Sequence, residues 1–294
     1  MRQVRRHIFS RISLMVLATM LMAAGGQQAC GKKIDTDKMI KEMLTGRETQ
    51  TKIPYLTRTY GSFGIKKAYR IQMALAKELS KKLGSVVGYK VAYASKAVQK
   101  QFGIMEPASG PFFRLQRVPS GSKLPASHFM DLLLETEIAF TIGKRIDHAI
   151  KDVAEIKDYV RWVHTAFDAG EHRFVEGDSK PTAADAIASG VGAHVFVLGP
   201  ATDPSKIDVD AISLKLIRNG KIIEDSAATN VMGSPWNSLL WCANHIVKLG
   251  GTLEPGMVIV SGTAAPAYIA KGDEKKGEYV GDCGPLGKVT MTLY

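Results

Sequence analysis

The feature that most constrains the fold is an apolar run in mid-chain, Leu132 to Ile142, which contains two glutamates. Its length and composition are typical of a β-strand. Residues i and i+2 of a strand point to the same face, so Glu135 and Glu137 are predicted to lie side by side. Two neighbouring carboxylates on a buried face repel each other and resist ionising together.

A hard divalent cation would remove this repulsion by ligating both glutamates through oxygen, which makes the pair a candidate metal site. Glu171, which follows the apolar stretch Val163 to Phe167, is the candidate for a third oxygen ligand. The alternative is an edge strand that holds both glutamates in solvent, but Leu133 shares their parity and would then be exposed as well. Spacing alone leaves both alternatives open.

The rest of the chain mixes predicted helices and strands. Apolar residues at three- and four-residue steps predict a helix from Phe63 to Leu83, and a second helix is predicted from Pro235 to Leu249. Asn219-Gly220 predicts a hairpin turn, whereas Pro and Gly predict a loop from Glu106 to Pro111. Further strands are predicted at residues 86–94, 163–167, 193–198, 257–261, 278–280 and 288–293.

This order of elements indicates an α+β protein with a rolled, barrel-like mixed sheet and flanking helices. With 45% hydrophobic and 23% charged residues, the composition is that of a globular protein. We divide the chain into a leader at 1–30, a helical and β N-terminal subregion at 31–110, and a catalytic β-roll at 111–294. The last two are expected to form one compact unit.

Residues 1–30 have the pattern of a secretory signal peptide. Arg2, Arg5, Arg6 and Arg11 precede a short apolar run from Ile12 to Ala24, and small and polar residues follow. This predicts an exported, periplasmic protein. Two alternatives stay open, an uncleaved N-terminal anchor and lipid attachment at Cys30, and either would be the only link to a membrane.

The net charge of +11 includes four arginines of the leader. A basic surface suits nucleic acid or an anionic small molecule. The lysines are spread along the chain and no nucleic-acid motif is present, so we expect an anionic small-molecule substrate and no nucleic-acid partner.

Three further features are candidates for substrate contacts. Lys90 interrupts an apolar predicted strand, where an ammonium needs an anionic partner unless it reaches solvent. Ser261 and Thr263 flank a glycine at the end of another predicted strand, where backbone N–H groups can meet an anion or simply form a turn. His172, next to Glu171, is the histidine retained as a candidate acid or base.

Taken together, these residues resemble the fumarylacetoacetate hydrolase superfamily, in particular its branch of 2-keto-4-pentenoate hydratases and 4-oxalocrotonate decarboxylases. The similarity runs in order from about residue 50 to the end. The matching stretches are AYRIQ at 68–72, GYKVAYASKAVQKQFGIMEP at 88–107, ETEIAF at 135–140, DAIASGVGAHVFVLG at 185–199, WNSLLWCANHIVKLGGTLEPG at 236–256 and VIVSGT at 258–263.

The resemblance implies a mixed β-roll and a bound Mg²⁺ or Mn²⁺, held by Glu135, Glu137 and a third acid, Glu171. It also implies a homo-oligomer and a lyase of aromatic catabolism, which adds water to a 2-hydroxydienoic or 2-oxo acid. Lys90 and Glu171 are the implied catalytic residues. Lys90, Ser261 and Thr263 are the residues expected to bind the substrate.

One departure from the family pattern affects the predicted reaction. Hydratases of this branch often carry a proton-transferring aspartate where this chain has Ala108, and decarboxylases tolerate an apolar residue there. The alternatives to a hydratase are therefore a decarboxylase, a C–C hydrolase of acylpyruvates or fumarylacetoacetate that uses Glu171 and His172, and an exported binding protein without turnover.

Overall fold

The computed structural model describes residues 34–175 and 181–294, and the predicted leader lies outside them. Residues 34–294 group as one compact unit. The described residues contain seven α-helices and thirteen β-strands. The helices are α1 (Thr36–Glu48), α2 (Leu56–Tyr60), α3 (Ile65–Leu83), α4 (Lys96–Phe102), α5 (Val153–Lys157), α6 (Ala183–Ala188) and α7 (Pro235–Lys248).

The strands form two sheets. They are β1 (Val86–Ala92), β2 (Ala108–Phe113), β3 (Arg117–Pro119), β4 (Ser122–Leu124), β5 (Leu132–Ile142), β6 (Val160–Glu171), β7 (Val195–Leu198), β8 (Ser213–Arg218), β9 (Lys221–Ala227), β10 (Val258–Val260), β11 (Tyr268–Ala270), β12 (Gly277–Asp282) and β13 (Lys288–Leu293). The larger, central sheet has the order β2-β1-β10-β5-β6-β7-β3, and β11 pairs with β5. The second sheet has the order β4-β13-β12-β8-β9.

The central sheet is mixed and curls into a half-barrel, as the α+β prediction requires. β1 and β10 are parallel, whereas β5 is antiparallel to both β10 and β6. β5 and β6 pair along almost their whole length, from Leu132 opposite Glu171 to Ile142 opposite Val160. The longest pair of strands therefore lies in the middle of the sheet. The predicted fold class is confirmed.

Apolar packing covers the back face of this sheet, the face to which Ile138 and Phe140 point. α7 packs there through residues such as Leu239 and Cys242. The second sheet packs on the same strands nearer their other end, where Phe167 of β6 meets Tyr279 of β12. The back face is therefore closed by apolar side chains.

A third apolar cluster joins the N-terminal helices to the edge of the central sheet. α3 contributes Ala68, Ile71 and Leu75, the stripe that the sequence spacing predicts, and Ala108 of β2 joins them. Gly84 ends α3 with a positive φ of 82°. These contacts attach α1 to α3, within residues 34–83, to the half-barrel.

Most helices, strands and turns lie where the sequence predicted them, and one prediction is wrong. The hairpin of β8 and β9 turns at Asn219 and Gly220, both with positive φ. Residues 106–111 were expected to be a loop, but β2 begins at Ala108 and pairs antiparallel with β1. Pro111 is tolerated because β2 is an edge strand and needs no partner on its outer side. Within the described residues, no helix has both the length and the apolar character needed to span a bilayer.

Candidate metal centre

Three carboxylates from the two longest strands meet on one face of the central sheet. The register of β5 and β6 places Glu135 opposite Asp168, and Glu137 opposite Ala166. Cross-strand partners share a face, so Asp168 joins the two glutamates. One oxygen of each carboxylate lies within 4.8 Å of the others. We call these three residues the acid cluster and their side of the sheet the acid face.

The acid cluster is buried and contains one cation, Lys90 of β1. Glu137 and Asp168 are both 0% exposed, and the side chain of Glu135 is 14% exposed. The Lys90 ammonium contacts Asp168 directly and lies 3.9 Å from the nearest oxygen of Glu135. Three carboxylates beside one ammonium leave negative charge uncompensated when all of them are ionised.

Burial and mutual repulsion shift the pKa values in this cluster. Burial raises the pKa of Glu135 to about 8, although the nearby Lys90 acts to lower it. Burial, followed by repulsion from Glu135 and Asp168, holds the pKa of Glu137 well above its usual range. Burial alone would lower the pKa of Lys90, but attraction to the carboxylates outweighs it and raises that pKa. Without a bound cation, simultaneous ionisation of all three acids is therefore disfavoured.

The unpartnered oxygens of the cluster fit a divalent cation. Glu137 Oε1 and Asp168 Oδ1 are fully buried and accept no hydrogen bond from any described residue. A buried carboxylate oxygen without a donor is costly unless another group supplies positive charge. An all-oxygen set of carboxylates is what Mg²⁺ and Mn²⁺ prefer. Glu135, Glu137 and Asp168 are therefore the residues that would hold such an ion.

A backbone amide completes the surroundings of Glu137. Gly262, two residues after the end of β10, donates its N–H to Glu137 Oε2 at 2.5 Å. Gly262 has a φ of 91°, and a Cβ there would lie 2.9 Å from the Ala94 Cβ and 3.0 Å from the Val91 carbonyl oxygen. Only glycine fits this position without displacement of its neighbours.

Ser261 and Thr263, on either side of that glycine, make bonds within their own turn. The Ser261 hydroxyl is buried and donates to the carbonyl oxygen of Gly262 at 3.3 Å. Thr263 Oγ1 donates to the Ala265 carbonyl oxygen at 2.6 Å and accepts the Ala265 N–H. The structure thus brings their turn to the acid cluster through Gly262, and their role in binding substrate stays a prediction.

Glu171 does not join the acid cluster, which corrects the predicted ligand set. It lies three residues beyond Asp168 on β6 and opposite Leu132, so it points to the back face. One of its oxygens accepts the Met130 N–H at 2.7 Å, and the other accepts Arg173 Nε at 2.9 Å. Burial would raise the pKa of Glu171, but Arg173 above all lowers it. Glu171 is an ionised partner of Arg173, and Asp168 takes its place among the candidate ligands.

The length of β6 explains why sequence reasoning missed Asp168. The strand was predicted to end at Phe167, which left Asp168 in a loop among other acids. An aspartate between Phe167 and Ala169 in an apolar stretch was the available signal. His172 lies just beyond the end of β6, and its Nδ1 is 3.9 Å from an Asp131 oxygen.

Comparison with known proteins supports the fold and the family. The family described as "Fumarylacetoacetate (FAA) hydrolase C-terminal" matches residues 85–292. The chain is 28% identical to 2-oxo-hept-4-ene-1,7-dioate hydratase of Escherichia coli over 262 residues, 87% of this chain and 97% of the relative. It is 27% identical to 2-keto-4-pentenoate hydratase of Paraburkholderia xenovorans (strain LB400) over 217 residues, 74% of this chain and 80% of the relative.

Among solved structures, 4-oxalocrotonate decarboxylase from Pseudomonas putida G7, complexed with magnesium and adipate, has the same fold. It superposes with a TM-score of 0.80 at 18% identity and covers 88% of this chain and 97% of that one. Fumarylpyruvate hydrolase from Pseudomonas aeruginosa, in complex with Mn²⁺ and pyruvate, has a TM-score of 0.52 at 15% identity over 70% of this chain and 88% of that one. The predicted relationship to hydratases is confirmed by the curated relatives, and the decarboxylase shares the fold. Since the family match spans most of its length, this chain belongs to the fumarylacetoacetate hydrolase family.

Proposed function

We propose that this chain is a metal-dependent hydro-lyase that adds water to a 2-hydroxydienoic or 2-oxo acid, in the manner of a 2-keto-4-pentenoate hydratase. The observation that carries the proposal is the acid cluster, three carboxylates beside one buried ammonium, of which Glu137 and Asp168 are fully buried and have unpartnered oxygens. Relatives that are 26–28% identical and named hydratases support the reaction class. Mg²⁺ is the proposed ion, with Mn²⁺ as the alternative.

A divalent cation held by the acid cluster would act as a Lewis acid toward the carboxylate and 2-oxo oxygens of the substrate. The protein itself contributes burial, charge and position. Glu137 and Asp168 are closed off from bulk water, which strengthens electrostatic interactions at this place. Water would then have to enter as a reactant at a chosen position and would not surround the substrate.

Lys90 is the residue we propose to bind the substrate directly. Its ammonium reaches the acid face from β1 and remains charged, because the carboxylates around it raise its pKa. An ammonium at this place attracts the anionic 2-oxo acid and stabilises the negative charge that develops on its 2-oxygen. Lys90 Nζ also carries a proton that can be donated to that oxygen and recovered from it.

The alternative reaction is decarboxylation, and Ala108 is the observation that favours it. The register of β1 and β2 places Lys90 opposite Gly110 and Ala92 opposite Ala108, so Ala108 shares the face of Lys90. A buried methyl group cannot transfer a proton to carbon. Decarboxylation needs no protein base to start, since the departing CO₂ leaves its electron pair in the substrate. Hydration would require another group to supply the proton that Ala108 cannot.

The C–C hydrolase alternative relied on Glu171 and His172 as a catalytic pair, and the contacts of Glu171 do not favour it. Both Glu171 oxygens are already engaged, one by the Met130 N–H and one by Arg173. Both oxygens thus accept from groups other than His172, whose Nδ1 lies 3.9 Å from an oxygen of Asp131, so the structure gives no support to a Glu171–His172 dyad. An exported binding protein without turnover stays a candidate that the assay below decides.

One assay series tests these proposals. Protein without residues 1–30 would be given Mg²⁺ and, in turn, 2-hydroxypenta-2,4-dienoate, 4-oxalocrotonate and an acylpyruvate. We expect loss of the dienoate absorbance, which reports hydration. Release of CO₂ from 4-oxalocrotonate would show a decarboxylase, and pyruvate from the acylpyruvate would show a hydrolase. Metal-dependent binding without turnover would show a binding protein, and undiminished activity of Glu135→Gln would contradict the metal site.

The location and assembly of the protein are part of the proposal. The basic and apolar leader supports export to the periplasm. Fractionation of cells that produce the full chain is expected to place it in the periplasm. A form that is lipid-anchored at Cys30 would instead fractionate with the membrane, and Cys30→Ser would release it. Light scattering on the purified protein tests the expected homo-oligomer.

A further inference from the structure

One peptide unit beside the acid cluster is held from both of its sides. The unit joins Ser261 to Gly262. Its N–H donates to Glu137 Oε2 at 2.5 Å, and its C=O accepts the hydroxyl of Ser238 at 2.5 Å. All the groups involved are buried, since Glu137, Ser238 and Ser261 are each 0% exposed. The two hydrogen bonds lie at opposite edges of one rigid, planar unit, so together they determine its orientation.

Ser238 belongs to α7, the helix that packs on the back face of the central sheet. Its neighbours on that side of α7, Leu239 and Cys242, are apolar core residues. A serine inside a helix commonly bonds the carbonyl four residues earlier in its own helix. The Ser238 hydroxyl instead crosses to the turn after β10, so it connects α7 to the acid face.

The hydrogen bond from Ser238 also strengthens the hydrogen bond that the Gly262 N–H donates to Glu137. When a peptide C=O accepts a hydrogen bond, the peptide becomes more polarised and its N–H becomes a better donor. The N–H of Gly262 holds one oxygen of Glu137, which leaves Oε1 as the unpartnered oxygen. Hydrogen bonds to a ligating carboxylate orient it, and losing such a bond weakens metal binding.

We propose that Ser238 is a positioning residue of the metal centre: through the peptide of Ser261 and Gly262 it orients Glu137 for the ion, without touching the ion or the substrate. This inference rests on the proposed function, because it assumes that the acid cluster binds a divalent metal. Ser238 thus links the packing of a helix on the back face to ligand geometry on the acid face.

The test compares metal affinity and stability in two matched serine variants. Ser238→Ala removes the hydroxyl that bonds Ser261. Ser189→Ala is the control, because Ser189 is equally a buried serine, 3% exposed, whose hydroxyl donates to a backbone carbonyl, that of Ala186 at 3.0 Å. Calorimetric titration of metal-free protein with Mn²⁺ gives Kd without substrate, and thermal unfolding gives stability. We expect Ser238→Ala to raise Kd about tenfold or more, and Ser189→Ala to leave it within about twofold.

A third variant separates the hydrogen bond from packing. Ser238→Cys keeps a side chain of similar shape but offers a weaker donor, so its Kd is expected between those of the wild type and Ser238→Ala. If Ser238→Ala does not fold, the cysteine variant decides alone, and an unchanged Kd overturns the inference. Equal Kd values for Ser238→Ala and Ser189→Ala overturn it as well and make Ser238 a packing residue.

An NMR measurement tests the geometry without metal. The amide proton of Gly262, bonded to Glu137 Oε2, is expected downfield in metal-free wild type and further upfield in Ser238→Cys. An unchanged resonance would contradict the inference even if metal binding is confirmed. Failure of the wild type to bind Mn²⁺ or Mg²⁺ would instead overturn the proposed function, so the two failures are distinguishable.

Discussion

Asp168 and Glu171 are three residues apart on β6, and the alternation of the strand sends their carboxylates to opposite faces. Asp168 meets two glutamates and one ammonium, whereas Glu171 meets Arg173 and a backbone N–H. The same residue class therefore has two different surroundings, one with excess negative charge and one that is balanced. Only the surroundings of Asp168 have excess negative charge that a bound cation would neutralise.

Asp168→Asn is expected to abolish metal binding, because it replaces an anionic ligand in a buried cluster with a neutral amide. Calorimetric titration with Mn²⁺ should show Kd raised by at least about 100-fold, and turnover should fall with it. The change removes the direct partner of buried Lys90, but Glu135 and Glu137 remain beside that ammonium and repulsion with Glu135 falls, so the folded protein should survive. Retained affinity would show that the three carboxylates do not share one ion.

Glu171→Gln is the matched change on the other face, and it should affect stability and leave metal affinity within about twofold. It leaves the guanidinium of Arg173 buried without its counter-charge, which costs roughly 3–5 kcal/mol when a buried pair is broken. Urea unfolding measures this loss. Metal affinity that falls as far as in Asp168→Asn would restore Glu171 to the ligand set.

The pKa of Glu135 predicts how the metal-free protein responds to pH. Its folded pKa of about 8 lies above its ordinary value of 4.5, so the folded protein keeps a proton that the unfolded chain has released. This contribution to stability is complete below pH 4.5 and is lost as pH rises through 8. Urea unfolding in EDTA should therefore show a loss of up to about 1.4 kcal/mol per pH unit between pH 6 and 8 from Glu135 alone, and the raised pKa of Glu137 acts in the same direction. Glu135→Gln should reduce this slope, because it removes one of the two glutamates whose pKa is raised, and equal slopes would contradict the shifted pKa.

How far the site could be predicted from sequence depends on the distance between its residues along the chain. Glu135 and Glu137 are two positions apart, so strand alternation alone brings them together. Asp168 joins them only through the register of β5 and β6, which local patterns do not determine. Lys90 was recognised as unusual in an apolar strand, but its contact with Asp168 depends on the pairing of β1 with β10 and of β10 with β5.

At the scale of elements, the edge strand β2 was an element that the sequence prediction missed. The segment containing Pro111 and Gly110 has the composition of a loop, but as β2 it pairs on one side only. Gly110 is required there because a Cβ would lie 2.4 Å from the carbonyl oxygen of Gly190. Helices with a regular apolar stripe and strands with an apolar run, such as α7 and β5, were predicted almost to the residue.

The turn after β10 gives a prediction at this scale. Gly262 and Gly256 flank β10 and have nearly equal φ values, 91° and 89°. Alanine at either position has the cost of a left-handed backbone, about 1–2 kcal/mol. At Gly262 the new Cβ would also press against Ala94 and Val91, whereas at Gly256 nothing lies within 4 Å.

Gly262→Ala should therefore lose more unfolding free energy than Gly256→Ala, by at least about 1 kcal/mol. Because its N–H holds Glu137, Gly262→Ala should also raise the Kd for Mn²⁺ about tenfold, while Gly256→Ala leaves it unchanged. Urea unfolding and calorimetric titration measure the two effects. Equal results for the two variants would mean that the turn tolerates a side chain next to the acid cluster.

At the scale of the whole molecule, the acid cluster occupies the most central strands of the fold. β5 and β6 are flanked by β10 and β11 on one side and by β7 on the other, and the second sheet and α7 cover their back face. Repulsion among the three carboxylates therefore acts on strands whose separation would open the whole core. A cation that relieves it should stabilise the molecule as one cooperative unit.

The expected result is a saturable rise in Tm with Mg²⁺ or Mn²⁺. A ligand that binds only the folded state adds about 2.7 kcal/mol at 100 times its Kd, which is roughly 5–10 °C for a chain of this size. Differential scanning calorimetry of wild type in EDTA and at increasing metal concentration measures the rise. Asp168→Asn should show no rise, and Glu171→Gln should start from a lower Tm and rise by the same amount. An equal rise in wild type and Asp168→Asn would place the stabilising ion elsewhere, since only a site that includes Asp168 can lose the effect with that one carboxylate.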